Sequence, residues 1–183
     1  AKQFRYAAQV AADRWPSEDK PSVGQLTNAG FESEVKMRSA SFFEWQIGEG
    51  AQPQIGLAEG QSFVGRSNLF LLFNSFESSA FRTVSQTVAA EPNAEYELRF
   101  HYRSDLKSVA SLKFEAVSAC DLTVIASTDQ MAPVAEWTAM SVRFKAPPGC
   151  DAVIIRLNRE GCIGPTCLMS GKLSLDEFSL KSL

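Results

Sequence analysis

The spacing of apolar residues changes once along this chain. Phe4, Ala8, Ala11 and Trp15 recur every three or four residues, the period of one helical face. Pro16 ends that run, since it lacks an N–H and its ring clashes with the turn before it. The stretch from Pro16 to Val23, rich in Pro, Ser and charge, then reads as a linker. So short a helix is unstable alone, and its apolar face needs a partner, either the domain that follows or a helical domain before it. Past the linker the period is two. Tyr96, Leu98, Phe100 and Tyr102 alternate with Glu97, Arg99, His101 and Arg103, a half-buried strand. Val84, Gln86 and Val88 alternate likewise, as do Met140 and Val142 within Trp137 to Phe144, and Val153, Ile155 and Leu157 with Arg156 outward. Pro92-Asn93 and Pro147-Pro148-Gly149 mark turns between them. Many short strands with no second helical pattern predict an all-β sandwich. The expected division is 1–22, helix and linker, and 23–183, sandwich.

Composition narrows the function classes. A 45% apolar, 21% charged chain of 183 residues suits one folded domain. A net charge of −3 argues against a nucleic-acid surface, which needs clustered Lys and Arg. The longest apolar run, around Leu69 to Phe73, is strand-sized and too short for a membrane span. The chain does not begin with Met and shows no signal peptide, as expected of a piece of a longer protein with neighbouring domains. Four cysteines permit two disulfides or four reduced thiols. Cys162 and Cys167 flank a Gly/Pro segment and are the pair expected to bond if any do. The spacing lacks the paired C-x₂₋₄-C knuckles of zinc sites. Disulfides would place the protein outside the cytoplasm.

Two motifs bracket the strand region: Asn28-Ala-Gly-Phe-Glu32, and Leu173-Ser-Leu-Asp176-Glu-Phe178-Ser-Leu180. Between them stand Ser85-Gln86-Thr87-Val88, the Tyr96 strand, and Trp137 followed by Phe144-Lys-Ala-Pro147. In this order, from about Gly24 to Leu183, the chain resembles the galactose-binding-like jelly rolls of bacterial carbohydrate-binding modules. The resemblance implies a jelly-roll β-sandwich with a short N-terminal α-helical extension, its opening and closing motifs both strands. It also implies a structural Ca²⁺ joining those strands through Glu32 and Asp176, with Asn28 adding an amide oxygen, since Ca²⁺ takes six to eight oxygen ligands. The same acidic residues could instead be edge-strand polar groups.

In such modules a glycan lies on the outward sheet face. By strand alternation Arg99, His101, Arg143 and Arg156 share that face, with Phe70 and Trp137 as the platforms available by register. A face rich in Arg and poor in aromatics suits an acidic glycan, because guanidinium matches carboxylate in bidentate fashion. The alternative is a solvated face of Arg–Glu cross-strand pairs. Trp45, Phe42 and Phe43 are read as core or as an exposed lip. His101 is the sole histidine and no G-x-S-x-G or Cys-His signature surrounds it, so the expectation is no enzyme. The expected role is non-catalytic glycan binding within a larger bacterial protein. Its rival is a structural or protein-interaction sandwich that docks a helical-repeat neighbour.

Overall fold

A computed structural model describes residues 3–16, 19–78, 81–162 and 164–183. Among the described residues one helix, α1 (Phe4–Ala12), precedes eleven strands. These are β1 (Gln46–Ile47), β2 (Gln54–Glu59), β3 (Ser67–Glu77), β4 (Val84–Ala89), β5 (Glu95–Ser104) and β6 (Lys107–Ser108), followed by β7 (Ser111–Ser118), β8 (Val124–Ser127), β9 (Val134–Lys145), β10 (Ala152–Glu160) and β11 (Thr166–Ser182). One sheet runs β1-β4-β10-β7-β8 and the other β2-β3-β11-β5-β9, with β6 also on β11; all pairings are antiparallel.

The core lies between the sheets and follows the alternation read from the sequence. Tyr96, Leu98, Phe100 and Tyr102 of β5 are buried, as are Val153, Ile155 and Leu157 of β10. Phe100 and Phe178 stack at 4.8 Å, and Phe114 meets Phe178 edge-on at 5.1 Å. Rings of this kind stabilise the sandwich by about 1.5–3 kcal/mol each through burial. Trp45 and Phe43 belong to the interior, whereas Phe42 stays at the surface.

The opening motif departs from expectation: Asn28–Gly30 is a turn, Phe31 and Glu32 follow as irregular chain, and none of it is a strand. Asn28 and Phe31 adopt positive φ, 47° and 55°. The Asn28 side chain accepts from the Ser33 N–H and donates to its carbonyl, while Trp45 Nε1 donates to the Asn28 carbonyl. Local side-chain bonding of this kind diverts Asn from extended backbone. The segment still ties the sheets together: Phe178 N–H donates to the Ala29 carbonyl, and Gln86 brackets the Thr27 main chain.

The helix ends at Ala12, short of Trp15, and packs on the sandwich. Phe4 sits against Ala119, Cys150 and Ala152, and Ala8 against Phe43 and Ala89. Arg5 pairs with Glu91 at 2.5 Å, and its main-chain N–H donates to Asp151. Both cysteine pairs are bonded, Cys162–Cys167 as expected and Cys120–Cys150 beneath Phe4. Among the described residues no helix is long and apolar enough to cross a membrane.

Candidate functional site: the outer face of the six-stranded sheet

Antiparallel register places one row of side chains straight across this sheet. Gly56 of β2 opposes Phe70 of β3, Phe70 opposes Ser174 of β11, and Ser174 opposes Arg103 of β5. Beyond Arg103 stands Trp137 of β9, whose ring lies 5.0 Å from the Arg103 guanidinium. At the other end Lys172 Nζ lies 5.3 Å from the Phe70 ring, which rests on Gly56, where an added Cβ would come within 3.0 Å of it. Between the two ring–cation pairs is a cavity of about 230 Å³ lined by Gln61, Arg103, Ser104, Asp105, Lys172 and Ser174, with Val134 and Ala135. Ser174 forms the floor because its small side chain leaves the space between Phe70 and Arg103 open. Three strand spacings put Phe70 about 14 Å from Trp137, longer than one sugar ring. Two cations, two half-buried rings and several hydroxyl or amide groups make a surface able to stack on apolar ring faces and hydrogen-bond oxygens.

The next row is covered by the chain itself. Loop 60–66 folds over it, and Phe63 stacks on His101 at 3.7 Å. Asp176, fully buried opposite His101, accepts hydrogen bonds from the N–H groups of Phe63 and Val64 at 2.7 and 3.1 Å, and from Glu177 at 2.7 Å. Glu32 accepts from the N–H groups of Arg66 and Ser67 at 2.8 and 3.0 Å. Gly65 has φ +71° and passes so close to Glu32 that an added Cβ would lie 2.3 Å from its Oε1. Burial pushes the Asp176 carboxyl up, against its amide bonds, and the Glu32 charge adds to the rise. The main-chain bond from Ser67 leads in holding Glu32 below the usual carboxylate range. Burial, then the Arg99 charge, lowers His101, so its imidazole is neutral near pH 7.

The residues expected to share one groove divide. Phe70, Arg99, His101, Trp137 and Arg143 do face outward from the six-stranded sheet. Arg99 is exposed opposite Ser141, away from the cavity. Arg143 pairs with Glu97 across strands at 3.1 Å, the cross-strand arrangement weighed against a ligand role. Arg156 does not join them, because β10 belongs to the five-stranded sheet and its outward side faces the opposite way. There Arg156 Nε and Nη2 reach Glu115 at 2.9 and 2.8 Å, and Asn158 donates to the same carboxylate at 2.8 Å. Alternation within one strand gave a correct face, but it carried no information on which sheet each strand joins. Sequence reasoning also passed over Lys172 and Ser174, although both alternate with the buried Leu173 and Leu175, and over Phe63 and Gln61, which lie in a loop without period.

Glu32 and Asp176 both accept from main-chain N–H groups of the segment 63–67, whereas the Asn28 amide is occupied by Ser33. Among the described residues no cluster of three or more His, Cys, Asp or Glu is arranged to hold a metal. Asp176 also lacks an ion-pair partner among them. Its neighbour Glu32, by contrast, lies 3.8 Å from Arg66 Nε.

No protein-family model and no curated protein matches the chain. Solved structures do. A carbohydrate-binding module of family 4 is 11% identical, matches over 86% of this chain and 99% of its own, and has a TM-score of 0.62. A family 61 module, solved with β-1,4-galactotriose, is 14% identical over 88% and 100%, with a TM-score of 0.59. A cyclase from Fischerella sp. is 17% identical over 86% and 95%, with a TM-score of 0.60. Likeness at these identities is one of fold, and this fold carries binding modules and an enzyme alike. The chain has the all-β jelly-roll sandwich of carbohydrate-binding modules, extended by one N-terminal helix.

Proposed function

We propose that this domain is a non-catalytic glycan-binding module and that its ligand lies along the row from Phe70 to Trp137. The observation that carries the reading is the polar cavity flanked by two rings, each paired with a cation. Phe70 and Trp137 offer stacking surfaces, Ser174 the floor, and Arg103 and Lys172 positive charge for a carboxylated sugar. Acidic polysaccharides are therefore expected to bind more tightly than neutral ones, and salt to weaken them by screening. Affinity electrophoresis against polygalacturonate, xylan and galactan tests this. Trp137→Ala and Ser174→Leu should weaken binding at least tenfold, while Arg156→Ala, on the opposite sheet, should leave it unchanged. Equal binding by all four proteins, or none by the parent protein, would sink the reading.

Glu32 and Asp176, with main-chain carbonyls, are proposed to hold a structural Ca²⁺ behind loop 60–66. Its contribution would be to neutralise two carboxylates and fix the loop against β11. Two disulfides fit an extracytoplasmic location, which is proposed with the same reading.

One further observation favours the interaction-module alternative. Tyr6 is 65% exposed and Phe42 54%, and with Val10 they border a groove of about 610 Å³ between α1 and the segment 36–44. A helix apolar on two faces calls for cover on both. If the protein binds no polysaccharide, and residues 4–15 gain hydrogen-exchange protection when a helical-repeat domain is added, this alternative replaces the first.

A further inference from the structure

Phe63 is an exposed aromatic side chain in a loop tied down by several hydrogen bonds. It is 42% exposed, yet its ring is backed by His101 at 3.7 Å and 17°. Its own N–H, and that of Val64, are fixed by the buried Asp176 carboxylate. The loop closes on itself through Ser62 Oγ donating to the Gly65 carbonyl and Gly60 N–H donating to the Arg66 carbonyl. Four amide–carboxylate bonds, to Asp176 and Glu32, therefore anchor the loop that presents this ring. Stability alone does not call for this, because a polar residue at position 63 would donate the same main-chain bond to Asp176 without exposing apolar surface. Rigid placement is what a stacking platform needs, since a ring that is already ordered loses little entropy when a ligand settles on it.

The second observation is where that ring stands. Phe63 lies 6.2 Å from Trp137, with the ring planes 58° apart. Two residues earlier in the same loop, Gln61 Oε1 accepts from Arg103 Nη2 at 2.8 Å and lines the cavity. The loop thus contributes Gln61 to the cavity wall, and the Phe63 and Trp137 rings stand beside the Arg103 guanidinium at an angle to each other.

We propose that loop 60–66 is a pre-organised recognition loop, with Phe63 as a third platform that grips a pyranose ring against Trp137. The proposal rests on the glycan reading above and makes it more specific. A ligand held in a corner presents an apolar face to Phe63 and its equatorial oxygens to Gln61 and Arg103, so it must bend or end there. Polysaccharides with a kinked linkage, or exposed chain ends, are therefore preferred over flat, extended ones. His101 acts as a positioning residue for Phe63 by backing its ring.

The experiment is calorimetric titration of polygalacturonate fragments into the parent protein and into Phe63→Leu, Phe63→Tyr, His101→Ala and Trp137→Ala, each with its melting temperature measured. Phe63→Leu keeps an apolar contact on His101 and removes the ring face. A loss of about tenfold in affinity with an unchanged melting temperature, restored by Phe63→Tyr, supports the platform. A smaller loss for His101→Ala supports the positioning role. If Trp137→Ala loses binding while Phe63→Leu keeps it within twofold, the Phe63 inference is wrong and the glycan reading stands. If the parent protein binds neither these fragments nor neutral ones, both fall together.

Discussion

Arg156→Ala is expected to cost stability and leave ligand binding untouched. Glu115 points outward from β7, yet only 3% of it is exposed, and its carboxylate receives Arg156 on one oxygen and Asn158 on the other. Removing Arg156 leaves a buried negative charge with a single neutral donor. Breaking a fully buried pair costs roughly 3–5 kcal/mol. The Arg156 side chain is 34% exposed, so water screens part of the interaction, and the Asn158 bond survives. About 2 kcal/mol is the expected loss. For a domain of this size that corresponds to a fall of about 4–8 °C in melting temperature. Urea unfolding should show the same change at an unaltered slope. The decisive variant carries Glu115→Gln with Arg156→Ala. With no charge left to bury, it should recover most of the lost stability, giving a coupling energy of about 1 kcal/mol or more in the double-mutant cycle. A loss below about 0.5 kcal/mol for Arg156→Ala, or a double variant less stable than the single one, would refute the reasoning.

The other expectations concern the loop, the metal and the N-terminal helix. Gly65→Ala forces a side chain into a left-handed backbone and onto the Glu32 carboxylate, and should destabilise by about 2 kcal/mol in urea unfolding; parent-like stability would show that the loop is not held as described. Excess Ca²⁺ should raise the melting temperature and EDTA lower it, because an ion that binds only the folded state stabilises by mass action. Glu32→Gln should abolish that response, and a response that persists in it would exclude this pair as the ligands. Replacing Cys120 and Cys150 by Ala opens a separation of 30 residues and should cost about 3.5 kcal/mol on the chain-entropy model. Amide exchange in α1 should rise with it, since Phe4 packs on that bridge.

The strands were legible wherever one face is buried and the other wet. Alternation placed Tyr96, Leu98, Phe100 and Tyr102 inward, and the same signal worked for β4, β9 and β10. Such a pattern states which side of a strand meets the core and nothing about its neighbours. Arg156 was therefore grouped with Arg99, although their strands lie in different sheets. The opening motif misled for another reason: Asn28 and Phe31 take positive φ and Asn28 bonds to Ser33, so a pattern that reads as a strand forms a turn instead. Phe70 and Trp137 were found because they sit on periodic elements. Phe63 and Gln61 were not, because a loop residue gains its position from partners far along the chain, here Asp176 and Arg103.

The position of β11 within its sheet bears on how the molecule is made. It is the last strand in the sequence and the longest, yet it lies between β3 and β5 at the centre of the six-stranded sheet. During synthesis both neighbours emerge from the ribosome well before it. Until it arrives, each exposes a row of unpaired main-chain groups beside apolar side chains meant for the interior. The nascent domain can assemble much of the other sheet in the meantime, but the sandwich closes only on its final seventeen-residue strand. Such late, long-range pairing is slow and leaves aggregation-prone edges exposed. Truncations that spare every proposed ligand contact upstream of Thr166 should therefore yield insoluble chains, and a chaperone that shields exposed strands should raise the yield of the intact domain.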